Sequence, residues 1–172
     1  VGITFKALLH PTKGLMNNFL ELFGGGGISF LGDARYALMS VIGVDGWKGL
    51  SVAVVIFIAG ITSVDQIYYE AAEIDGASWW QRLRYITLPL TKGSRNSIII
   101  LSFIGGIRSF ERIWSMTGGG PGFATDVLAS IIYKQYADGF YGLSTAGNVI
   151  MLVMIACLAF PLQAFLNRKE VD

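Results

Sequence analysis

The chain has 172 residues, of which 53% are hydrophobic and 15% charged, and its formal net charge is +1. Soluble domains carry about 25% charged residues, so this composition is shifted towards that of membrane proteins. The near-neutral charge, with no basic tract or stacking-aromatic pattern, gives no indication of nucleic-acid binding. The single cysteine, Cys157, lies in an apolar run and can form no intrachain disulfide, so we expect a small buried or lipid-facing residue.

The first 33 residues predict an outer segment without a complete membrane span. The chain opens on Val1 rather than methionine, and Val1–Leu9 is too short for a signal peptide and has no cleavage pattern, which suggests a partial chain. His10, next to a proline, is expected in a solvated turn rather than in a metal site. The spacing of apolar residues in Gly14–Phe23 predicts a short amphipathic helix.

Residues 34–64 predict the first membrane span. Asp33 can cap a helix that begins at Ala34, and the segment is then one long helix or two pieces broken near Gly46. A span needs about 20 residues, so this one is long enough. Its charged residues, Asp45 and Lys48, are expected near the interface or against a protein partner.

Residues 65–94 form a polar connection that predicts two short helices. The pair Ser63 and Gln66 has the spacing of a capping box before the first helix, and Ser78 with Gln81 has the same spacing before a second. A glycine at 76 predicts a left-handed end to the first helix, and a proline at 89 predicts an interruption before the next span.

The first of these short helices carries small residues surrounded by carboxylates. Ala71 and Ala72 give it a low surface that another protein can approach closely. The surrounding acids can pair with basic groups of a partner, and they are Glu70, Glu73 and Asp75. We interpret the surface as a docking site rather than as an acid–base centre, because no pocket partner is visible.

Residues 95–115 predict a second span. Small residues fall on one helical face, which is typical of close packing, and they are Ser102, Gly105, Gly106 and Ser109. A charge at mid-bilayer costs about 2.5–3.5 kcal/mol on insertion scales. Two interpretations of the charges near the outer end stay open: an interfacial ion pair of Glu111 with Arg108 or Arg112, or the lining of a solute path.

The remaining chain predicts an outer loop (116–144), a third span (145–166) and a tail (167–172). The loop holds a glycine-rich turn and a surface helix within Asp126–Tyr141, whose aromatic residues favour packing or interface anchoring over stacking on sugar rings. Pro161 is expected to bend the third span.

Orientation follows from the basic residues. Four of them lie in the 65–94 loop or directly after it and two follow the last span, whereas 116–144 holds only Lys134. The positive-inside rule therefore places the 65–94 loop and the tail in the cytoplasm and 116–144 outside. These six basic residues are Arg82, Arg84, Lys92, Arg95, Arg168 and Lys169.

The sequence gives no support for an enzyme. One histidine and one cysteine, far apart, provide neither a Cys/His nucleophile nor a zinc set. The glycine runs lack the strand and the Gly-Lys-Ser/Thr of a phosphate-binding loop, so we predict no nucleotide site and no cofactor in this chain.

One stretch resembles a known family. Glu70-Ala71-Ala72, three residues, Gly76, nine residues and Ile86-Thr87-Leu88-Pro89 resemble the EAA motif of the membrane subunits of bacterial ABC importers. The run Glu73-Ile74-Asp75-Gly76-Ala77-Ser78 is similar to the sugar-importer branch, the maltose and glycerol-phosphate permease type. The resemblance covers residue 14 to the end and implies the C-terminal part of such a permease.

The resemblance implies an all-α, multi-pass protein of the bacterial plasma membrane, with about three transmembrane helices, a cytoplasmic coupling-helix loop and a surface helix in the outer loop. The implied partners are cytoplasmic ATPase subunits, which bind the ATP, a second permease subunit, an extracytoplasmic solute-binding protein, the lipid bilayer and a sugar substrate. Two alternatives stay open: a permease for amino acids, peptides or an ion, and a structural membrane protein without a transport role.

The resemblance also implies roles for residues. The ATPase-docking candidates are Glu70, Ala71, Ala72, Gly76, Glu73 and Asp75. In the family, the span after the EAA loop contributes solute contacts, and the candidates for the substrate path here are Ser102, Gly106, Ser109, Arg108 and Glu111. Small residues stand where a sugar-binding relative presents amides or aromatics, which is a departure from the family pattern.

Overall fold

The computed structural model describes residues 1–168; residues 169–172, with Lys169 and most of the predicted tail, lie outside the described part. All regular structure in the described part is helical, which confirms the all-α fold class. In chain order the helices are α1 (Gly2–Leu8), α2 (Leu15–Leu22), α3 (Ala34–Thr62), α4 (Gln66–Ile74), α5 (Trp79–Arg82), a π-helical turn (Leu83–Thr87), α6 (Leu88–Leu90), α7 (Lys92–Ile107), α8 (Glu111–Met116), α9 (Leu128–Ala137) and α10 (Tyr141–Arg168).

The chain divides into two compact units. Of the described residues, the first contains Val1–Lys48 and Gly105–Ile155, and the second contains Gly49–Ile104 and 156–168. The loop that carries the predicted docking residues therefore lies wholly in the second unit.

The first unit has a small apolar core. Its buried members are Leu9, Val41, Val44, Ile113 and Met116, contributed by the end of α1, the start of α3 and α8. Helices α1 and α8 approach so closely that a side chain on Gly2 would overlap that of Ser115. This core covers only one side of α3, because most of the large apolar residues of that helix are exposed.

Asn17 connects the amphipathic helix α2 by hydrogen bonds to the backbone segments before and after it. Its amide nitrogen donates to the carbonyls of Pro11 (2.7 Å) and Ile28 (2.9 Å), and its oxygen accepts from the Ile28 backbone N–H (3.0 Å). His10 lies in the turn before α2, where Nδ1 accepts from the Thr12 backbone N–H (3.3 Å). The predicted helix and the predicted turn are both present.

Two helices, α3 and α10, are long and apolar enough to cross a membrane. α3 begins at Ala34 after Asp33, whose side chain accepts from the Arg35 N–H (2.9 Å), and it runs without a break through Gly46. Apart from Ser144 and Ala159, the residues of α10 are exposed or half-buried, and Cys157 is exposed there. The core helix of a soluble protein would be mostly buried, so this surface fits contact with lipid.

The structure differs from the prediction of one continuous helix over 95–115. α7 ends at Ile107 after 16 residues, and α8 begins at Glu111. Two consecutive glycines, Gly105 and Gly106, precede the break, and glycine has low helix propensity. The Ser109 N–H bonds the Gly106 carbonyl (3.2 Å), which closes a tight turn between the two helices.

The charged residues of α3 pair with α8. Asp45 forms an ion pair with Arg112, and Lys48 lies 3.5 Å from Glu111. Of the two interpretations left open for these charges, an ion pair of Glu111 with Arg108 or Arg112 is therefore contradicted. Because α8 is a separate helix that lies beside α3, its charges meet α3 rather than each other. Asp45 and Lys48, which were expected near the interface or against a protein partner, thus pair with residues of α8 in the same chain.

The 116–144 segment is organised by a buried carboxylate. Asp126 accepts from the Ser130 hydroxyl (2.7 Å) and from the Lys134 ammonium (2.7 Å), which ties the glycine-rich turn to α9. Tyr133 packs against the rings of Phe110 and Trp114, with centroids 4.9 and 4.7 Å away, so packing accounts for this tyrosine. The other predicted anchoring rings are exposed; they are Tyr136, Phe140 and Tyr141.

We predict that Asp45→Asn destabilises the first unit by about 2 kcal/mol, because it leaves the half-buried Arg112 without its counter-ion. The matched variant Glu111→Gln, which breaks the more exposed pair with Lys48, is expected to cost less than about 1 kcal/mol. Thermal unfolding in detergent compares the two. Equal losses of stability would contradict a larger contribution of the Asp45–Arg112 pair than of the Lys48–Glu111 pair. The double variant Asp45→Arg with Arg112→Asp is expected to restore part of the stability.

Candidate functional site

The candidate site is the connection between α3 and α7. Its first helix, α4, is capped by Asp65, whose side chain accepts from the Ile67 N–H (3.0 Å). The predicted capping box of Ser63 with Gln66 was wrong. The Ser63 hydroxyl instead donates to the Gly60 carbonyl (2.8 Å), at the end of α3. The carboxylate two positions on takes the capping role because α4 begins only at Gln66.

The EAA-like stretch ends in a fully bonded left-handed turn. Gly76 has φ +72°, a conformation that favours glycine. The Ala77 N–H donates to the Ala72 carbonyl (2.8 Å), and the Gly76 N–H donates to that of Glu73 (3.0 Å). These two bonds are those of a Schellman motif, which satisfies the last carbonyls of the helix. The glycine therefore sets a sharp, defined end to α4, as predicted.

The second capping box is present as predicted. The Ser78 N–H donates to the Gln81 side chain (2.7 Å), the Gln81 N–H donates back to the Ser78 hydroxyl (3.4 Å), and α5 begins at Trp79. Pro89 does not interrupt the chain at once, because helical turns continue through Leu90. The π-helical turn just before it widens the backbone, which accommodates a proline that cannot donate to the preceding turn.

Most of the docking candidates are exposed. Glu70, Ala71 and Glu73 on α4 are open to solvent, and Ala72 is half-buried. The two residues at the end of the helix, Asp75 and Gly76, are exposed as well. Glu73 also lies 3.5 Å from Arg82 on α5, so one of the three acids has a partner within the loop. Their role in docking stays a prediction.

Hydrogen bonds made by three hydroxyl groups, here called the hydroxyl chain, connect α4 to the turn before α7. The Tyr69 hydroxyl bonds the Thr87 hydroxyl (3.0 Å), and the Thr91 hydroxyl donates to the Thr87 carbonyl (2.6 Å). Both threonines are buried. One turn further, a side chain on Gly60 of α3 would overlap that of Ser94 on α7, so these helices are in close contact. The loop is therefore fixed to the C-terminal end of α3 and the N-terminal end of α7.

Sequence reasoning missed this connection. The only signal for it is the placement of Thr87 and Thr91 four residues apart in a largely apolar stretch, which predicts a polar stripe on one helical face. Nothing in the spacing identifies Tyr69 as the partner, because the contact joins residues 18 positions apart across a turn.

The substrate-path candidates do not share one face. Ser102 and Gly106 are exposed on α7, but Ser109 lies beyond the end of α7 and is buried, with its hydroxyl accepting from Arg112 (3.2 Å). The prediction that all of the small residues fall on one helical face was wrong, because the helix ends before Ser109. Arg108 is exposed, and Glu111 is the partner of Lys48.

Within residues 1–168 no three His, Cys, Asp or Glu side chains are placed to hold a metal ion. The described loop presents exposed carboxylates and a small-residue surface on a helix that is capped at both ends.

We predict that Tyr69→Phe loosens α4 without unfolding the chain. The buried Thr87 hydroxyl would keep only its longer bond to the Arg82 carbonyl (3.4 Å), a loss of about 1 kcal/mol. Amide hydrogen exchange in α4 should then quicken about fivefold. The control is Tyr68→Phe, because Tyr68 is exposed and its hydroxyl makes no bond in the described structure. Equal exchange rates in the two variants would show that the hydroxyl chain does not hold the loop.

Comparison with known proteins gives one family. The model for "Binding-protein-dependent transport system inner membrane component" matches residues 3–171. The "Trehalose/maltose transport system permease protein MalF" of Thermococcus litoralis is 34% identical over 152 residues, which are 88% of this chain and 52% of that protein. The "Sulfoquinovosyl glycerol transport system permease protein SmoG" of Agrobacterium fabrum is 32% identical over 172 residues, 98% of this chain and 55% of that protein.

The chain thus spans about half the length of the curated relatives it matches. Its fold is also that of a solved bacterial ABC transporter involved in the import of the acidic polysaccharide alginate, with a TM-score of 0.85 over 97% of this chain and 59% of that one, at 24% identity. Because the family model covers almost the whole sequence, the chain belongs to the family of binding-protein-dependent transport system inner membrane components, and the resemblance seen in the EAA-like stretch is confirmed.

Proposed function

We propose that the chain is part of a membrane-spanning subunit of an ATP-driven, binding-protein-dependent importer of a sugar or oligosaccharide. Family membership supports the transport class, and the relatives named for trehalose/maltose and sulfoquinovosyl glycerol support a sugar. The subunit has no enzymatic activity of its own. ATP is bound by separate cytoplasmic ATPase subunits, a second permease subunit completes the path, and an extracytoplasmic solute-binding protein delivers the solute.

The geometry of α4 is the observation that carries the proposal. It is a nine-residue helix with a defined cap at each end, and it presents Ala71 between the carboxylates of Glu70 and Glu73. Small side chains let a second backbone approach closely, and the two acids can pair with basic groups at its edge. A helix of this size fits a cleft on a partner, where its ends hold its position.

The hydroxyl chain supplies a route from docking to transport. A displacement of α4 would move Thr87 through the Tyr69 hydroxyl, and Thr91 would carry it to the first turn of α7. The tight packing of Gly60 against Ser94 would move the end of α3 with it. Coupling needs such an element with two discrete positions, both of which the partner biases. In this scheme the exposed Ser102, Gly106 and Arg108 contribute to the solute path, with Ser109 and Glu111 holding its wall through Arg112 and Lys48.

We predict that Ala71→Gln weakens association with the ATPase subunits at least about tenfold, because the longer side chain prevents close approach. The measurement is co-purification of ATPase subunits with the assembled transporter after membrane fractionation. Ala137→Gln makes the same chemical change at an exposed position of α9 and should leave association unchanged.

Insertion into the membrane should be the same for both variants. Normal ATPase association of Ala71→Gln would contradict docking through α4, and equal loss in Ala137→Gln would indicate a general folding defect. Transport of a panel of sugars, amino acids and peptides by the unmodified transporter then tests the solute class, where uptake of only non-sugar solutes would overturn the sugar assignment.

A further inference from the structure

The segment that follows α4 exposes three large aromatic side chains. Trp79, Trp80 and Tyr85 are 64%, 70% and 71% exposed. The two tryptophan rings contact each other edge to face, with centroids 5.2 Å apart, and no other described ring packs on them. Aromatic side chains with a polar edge gather where one end meets apolar groups and the other meets water, as at the surface of a bilayer.

The same segment is strongly basic. It contains Arg82, Arg84, Lys92 and Arg95, and the sequence has no acidic residue between Asp75 and Glu111. Arg82 pairs with Glu73, but the other three basic residues form no ion pair in the part of the chain that the structure describes. Arg84 and Arg95 are exposed, and Lys92 is half-buried. Their charges are therefore available to an anionic partner.

Apolar surface continues from this segment into α7. Exposed Trp80, Arg84 and Leu88 follow one another at spacings of four, and Leu90 is exposed beyond them. α7 then begins at Lys92 and exposes further large apolar side chains, which are Ile99, Leu101 and Phe103. Tyr85 precedes the start of α7 at Lys92 by seven residues, so the aromatic residues lie close to α7 in the sequence.

We propose that residues 79–95, here called the interfacial patch, bind the anionic headgroups of the membrane leaflet. Trp79, Trp80 and Tyr85 insert at headgroup depth, and Arg84, Lys92 and Arg95 contact the phosphates. The interaction goes beyond the proposed function and shares with it only the placement of the 65–94 loop at the cytoplasmic face. Bound in this way, the patch would hold the loop at the membrane surface.

A lipid surface fits the patch better than the ATPase does. The proposed docking helix α4 is acidic and small-surfaced, whereas the patch is basic and aromatic and is followed by the exposed apolar side chains of α7. Several unpaired basic residues directly beside an apolar helix are the sequence pattern of anionic-lipid recognition. An ATPase contact at the patch is the competing outcome of the test.

The test uses tryptophan quenching by brominated lipids. The chain has four tryptophans, so Trp47→Phe, Trp79→Phe and Trp114→Phe leave Trp80 as the only one. The variant is reconstituted in equimolar phosphatidylglycerol and phosphatidylcholine, with bromine near the headgroup end of the acyl chains of one lipid or the other. Far-UV circular dichroism shows that the helices are retained. The control carries Trp47→Phe, Trp79→Phe and Trp80→Phe and so reports on Trp114.

We expect Trp80 to be quenched by both lipids, and about fivefold more strongly by phosphatidylglycerol, the enrichment that one basic group produces at an anionic surface. Arg84→Gln with Arg95→Gln should remove this preference, whereas Lys6→Gln with Arg35→Gln, two exposed basic residues outside the patch, should leave it unchanged. Trp114 should show no preference for either lipid.

Two results would overturn the proposal. One is equal quenching by the two lipids that the Arg84 and Arg95 substitutions do not alter. The other is an absence of quenching, with Trp80 open to aqueous acrylamide until the ATPase subunits are added, which would assign the patch to the ATPase. ATPase association is measured separately, in the unmodified transporter and in Ala71→Gln. If Trp80 is quenched by lipid but the unmodified transporter binds no ATPase subunits, the proposed function is rejected and the lipid proposal stands.

Discussion

The hydrogen bond between the Tyr69 and Thr87 hydroxyls joins the two halves of the candidate coupling loop. Thr87 is buried, and an unpaired buried hydroxyl is costly, so the bond fixes the position of α4 relative to the π-helical turn. Capping at Asp65, Gly76 and Ser78 determines where each short helix begins and ends, but caps alone do not set the angle between helices. The hydroxyl chain does, and it connects α4 to the turn that precedes α7.

In the first unit, ion pairs neutralise two of the charges that α3 carries. A helix with the composition of a span carries Asp45 and Lys48, and each is matched by a residue of α8. The break after Ile107 allows this, because it turns α8 back against α3 instead of extending α7. Ser109, which the break buries, then supports Arg112. Two of the residues predicted to line a solute path, Ser109 and Glu111, therefore contact Arg112 and Lys48 within the first unit.

Features that depend on local sequence were predictable. The start of α3 after Asp33, the second capping box and the left-handed Gly76 follow from residues within one or two helical turns. Features that join distant residues were not: the Tyr69–Thr87 bond and the pairing of Asp45 with Arg112 depend on how helices meet. The single helix expected over 95–115 was not found for the same reason. The periodicity of apolar residues does not show that two glycines and an ion pair with a distant helix will break the helix. The resemblance identified the family, but it did not show how the loop is held.

The most direct test of a rigid lever is a distance measured through the transport cycle. Spin labels at Ile67→Cys and Ser97→Cys, both exposed positions in the second unit, would report on α4 and α7 in a Cys157→Ser background, since Cys157 is the only native cysteine and is exposed. In the assembled transporter we expect the same distance distribution without nucleotide and with ATP trapped, because α4 and α7 move together. A nucleotide-dependent change in that distance would show that α4 moves independently of α7, and the lever would not exist.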